Sequence, residues 1–295
     1  MIIPGLHPLE RVERISGSDL HYWVYRGDPG HADAEQETVL MVHGLRGTHE
    51  GLELIAAELA EQVVTIPDLP GFGDSGPMTE HNHDIAGYAE AMAELARRLG
   101  GEERPVSLVG HSFGSIVAAR LAAAAPELVR RLVLINPIAT PALHGPRVVL
   151  SSLTAAYYSL GEHLPERAAH SLLSNRWVVL AASRAMTRTR DPHLRGFIDR
   201  NHLRNFSRFH SPAVLGETFR ASVTHTVADY AGMLSMPVLL IAGETDDIAP
   251  VGGQRTLAER LPDAELVVIP EVGHLVHYET PGPASVEIRR FLGQP

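Results

Sequence analysis

Apolar and polar positions follow two alternating rhythms along the first 140 residues. Residues 19–27, "DLHYWVYRG", alternate in the manner of a half-exposed strand. "TVLMVHG" (38–44) is a short continuous apolar run closed by a glycine, as a strand buried on both faces would be. "GLELIAAELAEQ" (51–62) returns to helical periodicity, and "VVTIPDLPGFGDSG" (63–76) is a strand running into a Gly/Pro loop. In "DIAGYAEAMAELARRLG" the residues Ile85, Tyr88, Ala89, Met92, Leu95, Ala96 and Leu99 share one helical face, with Gly100 and Gly101 as the stop. "PVSLVGHS" predicts another buried strand that passes directly into a helix, and "RRLVLINPIAT" (130–140) predicts one more strand. Strand–helix repetition of this kind predicts a parallel sheet covered on both faces.

The rhythm breaks after Thr140. Between 141 and 234 the pattern holds no convincing buried strand, only helical stretches such as 147–164, 171–186 and 191–206. Alternation resumes with "MPVLLIAGETDDIAP" (236–250), then a helix, the strand "AELVVIP" and a final helix "PASVEIRRFLG". The economical organisation is one α/β core built from 1–140 and 235–295, with a helical insertion at 141–234 large enough to act as a lid.

Composition narrows the partners. Apolar residues make up 44% and charged residues 20%, ordinary globular usage. A net charge of −10 without a long basic run argues against nucleic acid. The absence of cysteine excludes disulfides, a thiolate nucleophile and thiolate metal sites, and fits a reducing compartment. "MIIPGLHPLERVERISG" lacks the basic and apolar regions of a signal peptide, and no stretch approaches a membrane span. The expectation is a cytoplasmic protein with no membrane partner; the pattern is silent on oligomeric state.

The candidate chemistry begins at Gly110-His111-Ser112-Phe113-Gly114. A G-x-S-x-G pattern is weak alone but much stronger between a strand and a helix. There a sharp turn lifts the serine clear of the carboxyl edge of the sheet, where α/β proteins bind ligands. Side chains at 110 and 114 would collide with that turn. The plainer alternative is a tight turn whose serine only caps the helix.

A serine hydroxyl needs a base, and "VIPEVGHLVHYETP" supplies His274 after the last strand. His277, three residues on, reads as a wall or helix-flanking residue. The acid that orients the imidazole can be Asp246 or Asp247, both in the loop after a buried strand. The order of serine, acid and histidine differs from those of chymotrypsin and subtilisin.

With these residues in hand, the chain resembles the α/β-hydrolase superfamily, in the serine branch that carries a helical cap. "VHGLRG", "DLPGFGDSG", "GHSFG", "AGETDDIAP" and "GHLVHYETP" carry the resemblance in the right order across the core; no motif covers the insertion. The resemblance implies an eight-stranded, mostly parallel sheet. It favours Asp246, because Gly243, Asp246, Ile248 and Pro250 fit the register of the superfamily's acid loop. Some relatives place the acid after an earlier strand, where this chain has Asn136, which cannot carry the charge. The oxyanion donors implied are the N–H groups of Phe113 and Leu45, with His43 bracing the second loop.

Substrate contacts fall to Arg46, beside the oxyanion loop, and to His111. An arginine there suits a monoester of a dicarboxylic acid, such as a monoalkyl phthalate, although the side chain can equally point to solvent. The expected activity is cleavage of carboxylic esters of small to medium hydrophobic molecules, with no cofactor. C–C bond hydrolase, thioesterase and lactonase activities share the constellation, and a small-molecule receptor could use the same fold. Gly-Asp-Ser-Gly at 73–76 mimics a protease nucleophile, but in an α/β context Ser75 reads as a turn residue. The "HNH" at 81–83 lacks ligand spacing, so no metal is expected.

Overall fold

The computed structural model describes residues 8–26, 37–59, 61–141 and 148–293. The leader reading for 1–7 and the beginning of the insertion at 142–147 lie outside the described residues.

The described residues form an eight-stranded sheet of order β1-β2-β4-β3-β5-β6-β7-β8. The strands are β1 (Leu9–Ile15), β2 (Ser18–Arg26), β3 (Thr38–Val42), β4 (Val63–Pro67), β5 (Val106–His111), β6 (Val129–Ile135), β7 (Val238–Gly243) and β8 (Ala264–Ile269). Pairing is antiparallel for β1 with β2 and β2 with β4, and parallel from β4 to β8. The strands β5 and β7 are buried at every position, in keeping with the apolar run of β7 and the mostly apolar β5.

Side chains along each strand divide between two cores. Leu40, Val42, Leu108, Leu132, Leu134 and Leu240 pack on one face with the helices α2 (Ile85–Leu99) and α3 (Phe113–Ala124). Val39, Met41, Val109, Val133, Leu239 and Ile241 pack on the other, with α1 (Glu53–Ala56) and α11 (Pro281–Leu292). The period of two along the strands thus produces two layers of helices on one sheet. The helix α9 (Val251–Arg260) joins β7 to β8, and the short α10 (Val276–Glu279) precedes α11.

Between β6 and β7 the chain forms α4 (Val148–His163), α5 (Glu166–Leu173), α6 (Arg176–Met186), α7 (Pro192–Asn205) and α8 (Pro212–Thr224). The predicted helix over 171–186 is two helices, because Asn175 starts α6 by accepting the N–H groups of Trp177 and Val178. Asp191 caps α7 in the same way through the N–H of His193. The predicted helix over 51–62 is also shorter than its pattern. Beyond α1 the chain tightens into i→i−3 turns, with Glu58 N–H on Ile55 O and Leu59 N–H on Ala56 O. β1 escapes the apolar pattern altogether: its first four side chains are exposed, and pairing with β2 makes it a strand.

The insertion is tied to the core on several sides. Phe72 bridges Phe209 in an antiparallel pair, flanked by Gly73 N–H on Arg208 O and His210 N–H on Gly71 O. Arg188 reaches Asp247, and Glu279 accepts the N–H groups of Arg188 and Thr189. In the interior the Tyr88 hydroxyl of α2 lies 2.8 Å from Thr218 Oγ1 of α8 and 3.2 Å from Pro70 O. Tyr88→Phe keeps the ring and removes both contacts, so chemical denaturation should show a loss of about 1 kcal/mol.

Candidate active site

β5 ends at His111 and α3 begins at Phe113, leaving Ser112 alone to make the reversal. Ser112 takes φ 54 and ψ −118, a left-handed backbone that side chains rarely adopt. Its N–H donates to Ile135 O of β6, and its carbonyl accepts the Ser115 N–H, so the turn is held from both ends. A Cβ on Gly110 would sit 2.5 Å from Gly114 O, and one on Gly114 would sit 2.3 Å from Val42 O. Neither position has room for a side chain, which is the physical content of the two glycines in the motif. Ser112 makes no capping hydrogen bond with its side chain, so the helix-cap alternative does not apply.

The Ser112 hydroxyl instead lies 2.8 Å from His274 Nε2. His274 Nδ1 lies 2.8 Å from Asp246 Oδ2, and both side chains are buried. Because the carboxylate accepts, Nδ1 carries the ring proton and Nε2 is free to accept from the hydroxyl. Asp246 Oδ1 accepts the N–H groups of Ile248 and Ala249. Burial alone would raise the Asp246 carboxyl. The His274 ring and these donors outweigh it and hold the group below the usual carboxylate range. Asp247, its neighbour, points outward to Arg188.

Two loops must meet for this arrangement, and Asn136 joins them. This buried residue follows β6 directly, with φ 45; its Nδ2 donates to Gly273 O and its Oδ1 accepts the Gly243 N–H, each at 2.9 Å. One amide therefore spans the start of the Asp246 loop and the residue before His274. The position that cannot supply a charge supplies the brace.

The loop after β3 is braced by His43. Its Nε2 accepts the Leu69 N–H at 2.9 Å, which places the ring proton on Nδ1, 2.8 Å from Gly44 O. Burial keeps this imidazole below its ordinary value and hence neutral. Leu45, the next residue but one, is partly buried against the core, and Phe113 packs against Tyr88. Asp68, under the same loop, accepts the N–H and Nδ1 of His49 and the N–H of Asp74. The Ser75 hydroxyl donates to Asp68 O and accepts the His21 N–H, as a turn residue would.

Arg46 does not point to solvent. It is buried, and its Nε and one Nη donate to Phe206 O (2.8 Å) and Leu173 O (2.6 Å) of the insertion. It also borders a cavity of about 290 Å³ whose other walls include Tyr157, Tyr158, Val178, Val179 and Phe206. His111 lies behind the serine. Its Nε2 is 3.2 Å from His274 O and its ring 4.1 Å from that of His277. It is enclosed by protein rather than presented to a substrate. Behind it, the buried His277 and His202 both flank Tyr278. This column of rings was not apparent in the sequence, where His202 lies in a stretch of scattered histidines. Among the described residues no group of His, Asp or Glu could hold a metal ion, and no helix is long and apolar enough to cross a membrane.

A strained serine turn at the carboxyl end of a parallel sheet, with a histidine and a buried carboxylate behind it, defines a hydrolase-type α/β fold. The chain belongs to the alpha/beta hydrolase family, whose sequence profile matches residues 39–287. It is 28% identical to Protein ABHD8 of Bos taurus over 266 residues, 88% of this chain but 57% of that protein, so it spans little more than half of that relative's length. It is 24% identical to the "Uncharacterized hydrolase YugF" of Bacillus subtilis over 294 residues, 98% of this chain and 99% of the relative. A solved structure of a thermophilic esterase from Thermogutta terrifontis superimposes with a TM-score of 0.75 at 21% identity, over 97% of this chain and 98% of that one, a likeness of fold.

The buried histidines set an acid limit on stability. Burial pushes His202 down to about 4 and His111 down to about 3, the nearby His274 adding to the latter. A histidine neutral when folded takes up protons when unfolded, so the unfolded state gains as pH falls below about 6.5. Urea midpoints should therefore fall steadily from pH 7 to pH 4.5. A His202→Leu variant should show a shallower slope; an identical slope would remove His202 from this account.

Proposed function

We propose that the protein is a serine hydrolase acting on carboxylic esters of small to medium hydrophobic molecules through an acyl-enzyme intermediate. The observation that carries this reading is the unbroken path from Ser112 Oγ through His274 to Asp246, 2.8 Å at each step. Ser112 Oγ attacks the ester carbonyl while His274 Nε2 takes its proton. Asp246 keeps His274 in the useful tautomer and offsets the positive charge that forms. The N–H groups of Leu45 and Phe113 receive the oxyanion, each worth about 3 kcal/mol in the transition state. His274 then protonates the departing alcohol, and a water repeats the sequence to release the acid and restore Ser112.

The helical insertion over 141–234 serves as the lid on the core, and the cavity beside Arg46 receives an apolar arm of the ester. Its walls are Tyr, Val and Phe side chains, and two Arg46 donors are engaged by carbonyls. This favours a neutral ester over the monoester of a dicarboxylic acid that a freely offered Arg46 would select.

Wild-type protein should turn over p-nitrophenyl butyrate repeatedly and take one fluorophosphonate label per chain. Ser112→Ala should abolish both, and Asp246→Asn should lower kcat about 10⁴-fold. Tight ligand binding without turnover would instead indicate a receptor. Preference for a vinylogous diketone over every ester would indicate C–C cleavage.

A further inference from the structure

Arg46 stands in the left-handed region with φ 61, immediately after the proposed oxyanion donor Leu45. Its buried cation is held by the insertion. Leu173 is the last residue of α5 and Phe206 caps the end of α7, so both carbonyls that accept from it belong to helix C-termini. Such carbonyls lack partners within their own helix and carry the negative end of its dipole. The rings of Phe206 and Phe209 lie 5.6 and 5.7 Å from Cζ, a cation–π arrangement on the same side chain. Among the described residues no carboxylate pairs with this guanidinium; helix ends and ring faces stand in for a counter-ion.

The loop of residues 43–47 is thus fixed at two points of different kind. Its beginning is fixed by the core, through His43 on Leu69 and on Gly44, and through Gly47 N–H on Gly44 O. On its far side the Arg46 side chain is held by the insertion. We propose that Arg46 is a positioning residue that makes the oxyanion geometry of this loop conditional on the docked insertion. The proposal rests on the serine-hydrolase reading above.

If the insertion lifts, the guanidinium loses both carbonyls and both rings and turns to water. The left-handed backbone at Arg46 then keeps only the Gly44–Gly47 turn and relaxes, taking the Leu45 N–H out of line. The oxyanion site would be complete only with the lid closed, so that acyl transfer proceeds only when bulk water is excluded.

The test compares wild type with Arg46→Gln and Arg46→Lys, each normalised to active sites titrated to completion with a fluorophosphonate. Substrates are p-nitrophenyl butyrate and the mono-p-nitrophenyl ester of glutaric acid. Inhibitors are an alkyl trifluoromethyl ketone, which forms a tetrahedral oxyanion, and its methyl ketone parent, which hardly does. Arg46→Gln should lower kcat about 30-fold on both esters with KM within about threefold, a fraction of what losing a whole donor costs. It should weaken the trifluoromethyl ketone in parallel and leave the methyl ketone unaffected. Arg46→Lys, which keeps the cation, should recover most of the loss, and it carries the comparison if the glutamine variant fails to fold. A lower melting temperature with unchanged kcat would reduce Arg46 to a structural clamp and overturn the proposal. So would a KM that rises on the acidic ester alone, the signature of a contact with a substrate carboxylate. Failure of the underlying reading would show earlier and differently, as wild-type turnover that survives Ser112→Ala.

Discussion

The site depends on one backbone position that the rest of the fold holds under strain. A residue with φ 54 and ψ −118 persists only if its neighbours leave it no alternative. At Ser112 they do so by crowding: the carbonyl of Gly114 approaches Gly110, and the carbonyls of Val42 and His43 approach Gly114, closer than any Cβ would allow. The chain therefore turns from β5 into α3 within a single residue, and the serine side chain is left facing outward from the sheet edge. Everything else positions a group with respect to that hydroxyl.

The partners come from loops with no local preference for their arrangement. Asn136 spans the Asp246 loop and the His274 loop with one side chain, and Thr245 N–H on Val272 O joins the same two segments. The loop of residues 43–47 touches the core through His43 and the insertion through Arg46. In effect the sheet supplies a rigid rim, and side-chain amides, imidazoles and one guanidinium translate that rim into distances of hydrogen-bond length. The buried imidazoles at 43, 111, 202 and 277 are tolerated there because they stay neutral, and the cost is a dependence of stability on pH.

What the sequence revealed was what local physics dictates. Buried strands announce themselves as apolar runs, and a serine between glycines at a strand–helix joint has few structural meanings; hence the strand–helix alternation of the core could be read, and Ser112, Asp246 and His274 could be named as candidates. β1 was not, since "LERVERI" offers no apolar face and owes its form to its neighbour. The break at Asn175 was hidden by continuous helical composition. Least legible were contacts across long separations. Nothing local says that Arg46 will meet carbonyls at 173 and 206, that Asn136 will bridge 243 and 273, or that His111 will lie against His277 rather than a substrate.

The most direct measurement is a crystal structure of the protein after reaction with an alkyl phosphonate, a stable mimic of the tetrahedral intermediate. Phosphorus should be bonded to Ser112 Oγ, with one phosphoryl oxygen within about 3 Å of the N–H groups of both Leu45 and Phe113. The alkyl chain should enter the cavity beside Arg46. Phosphorus on any other side chain, or an oxygen turned away from these two N–H groups, would contradict the account.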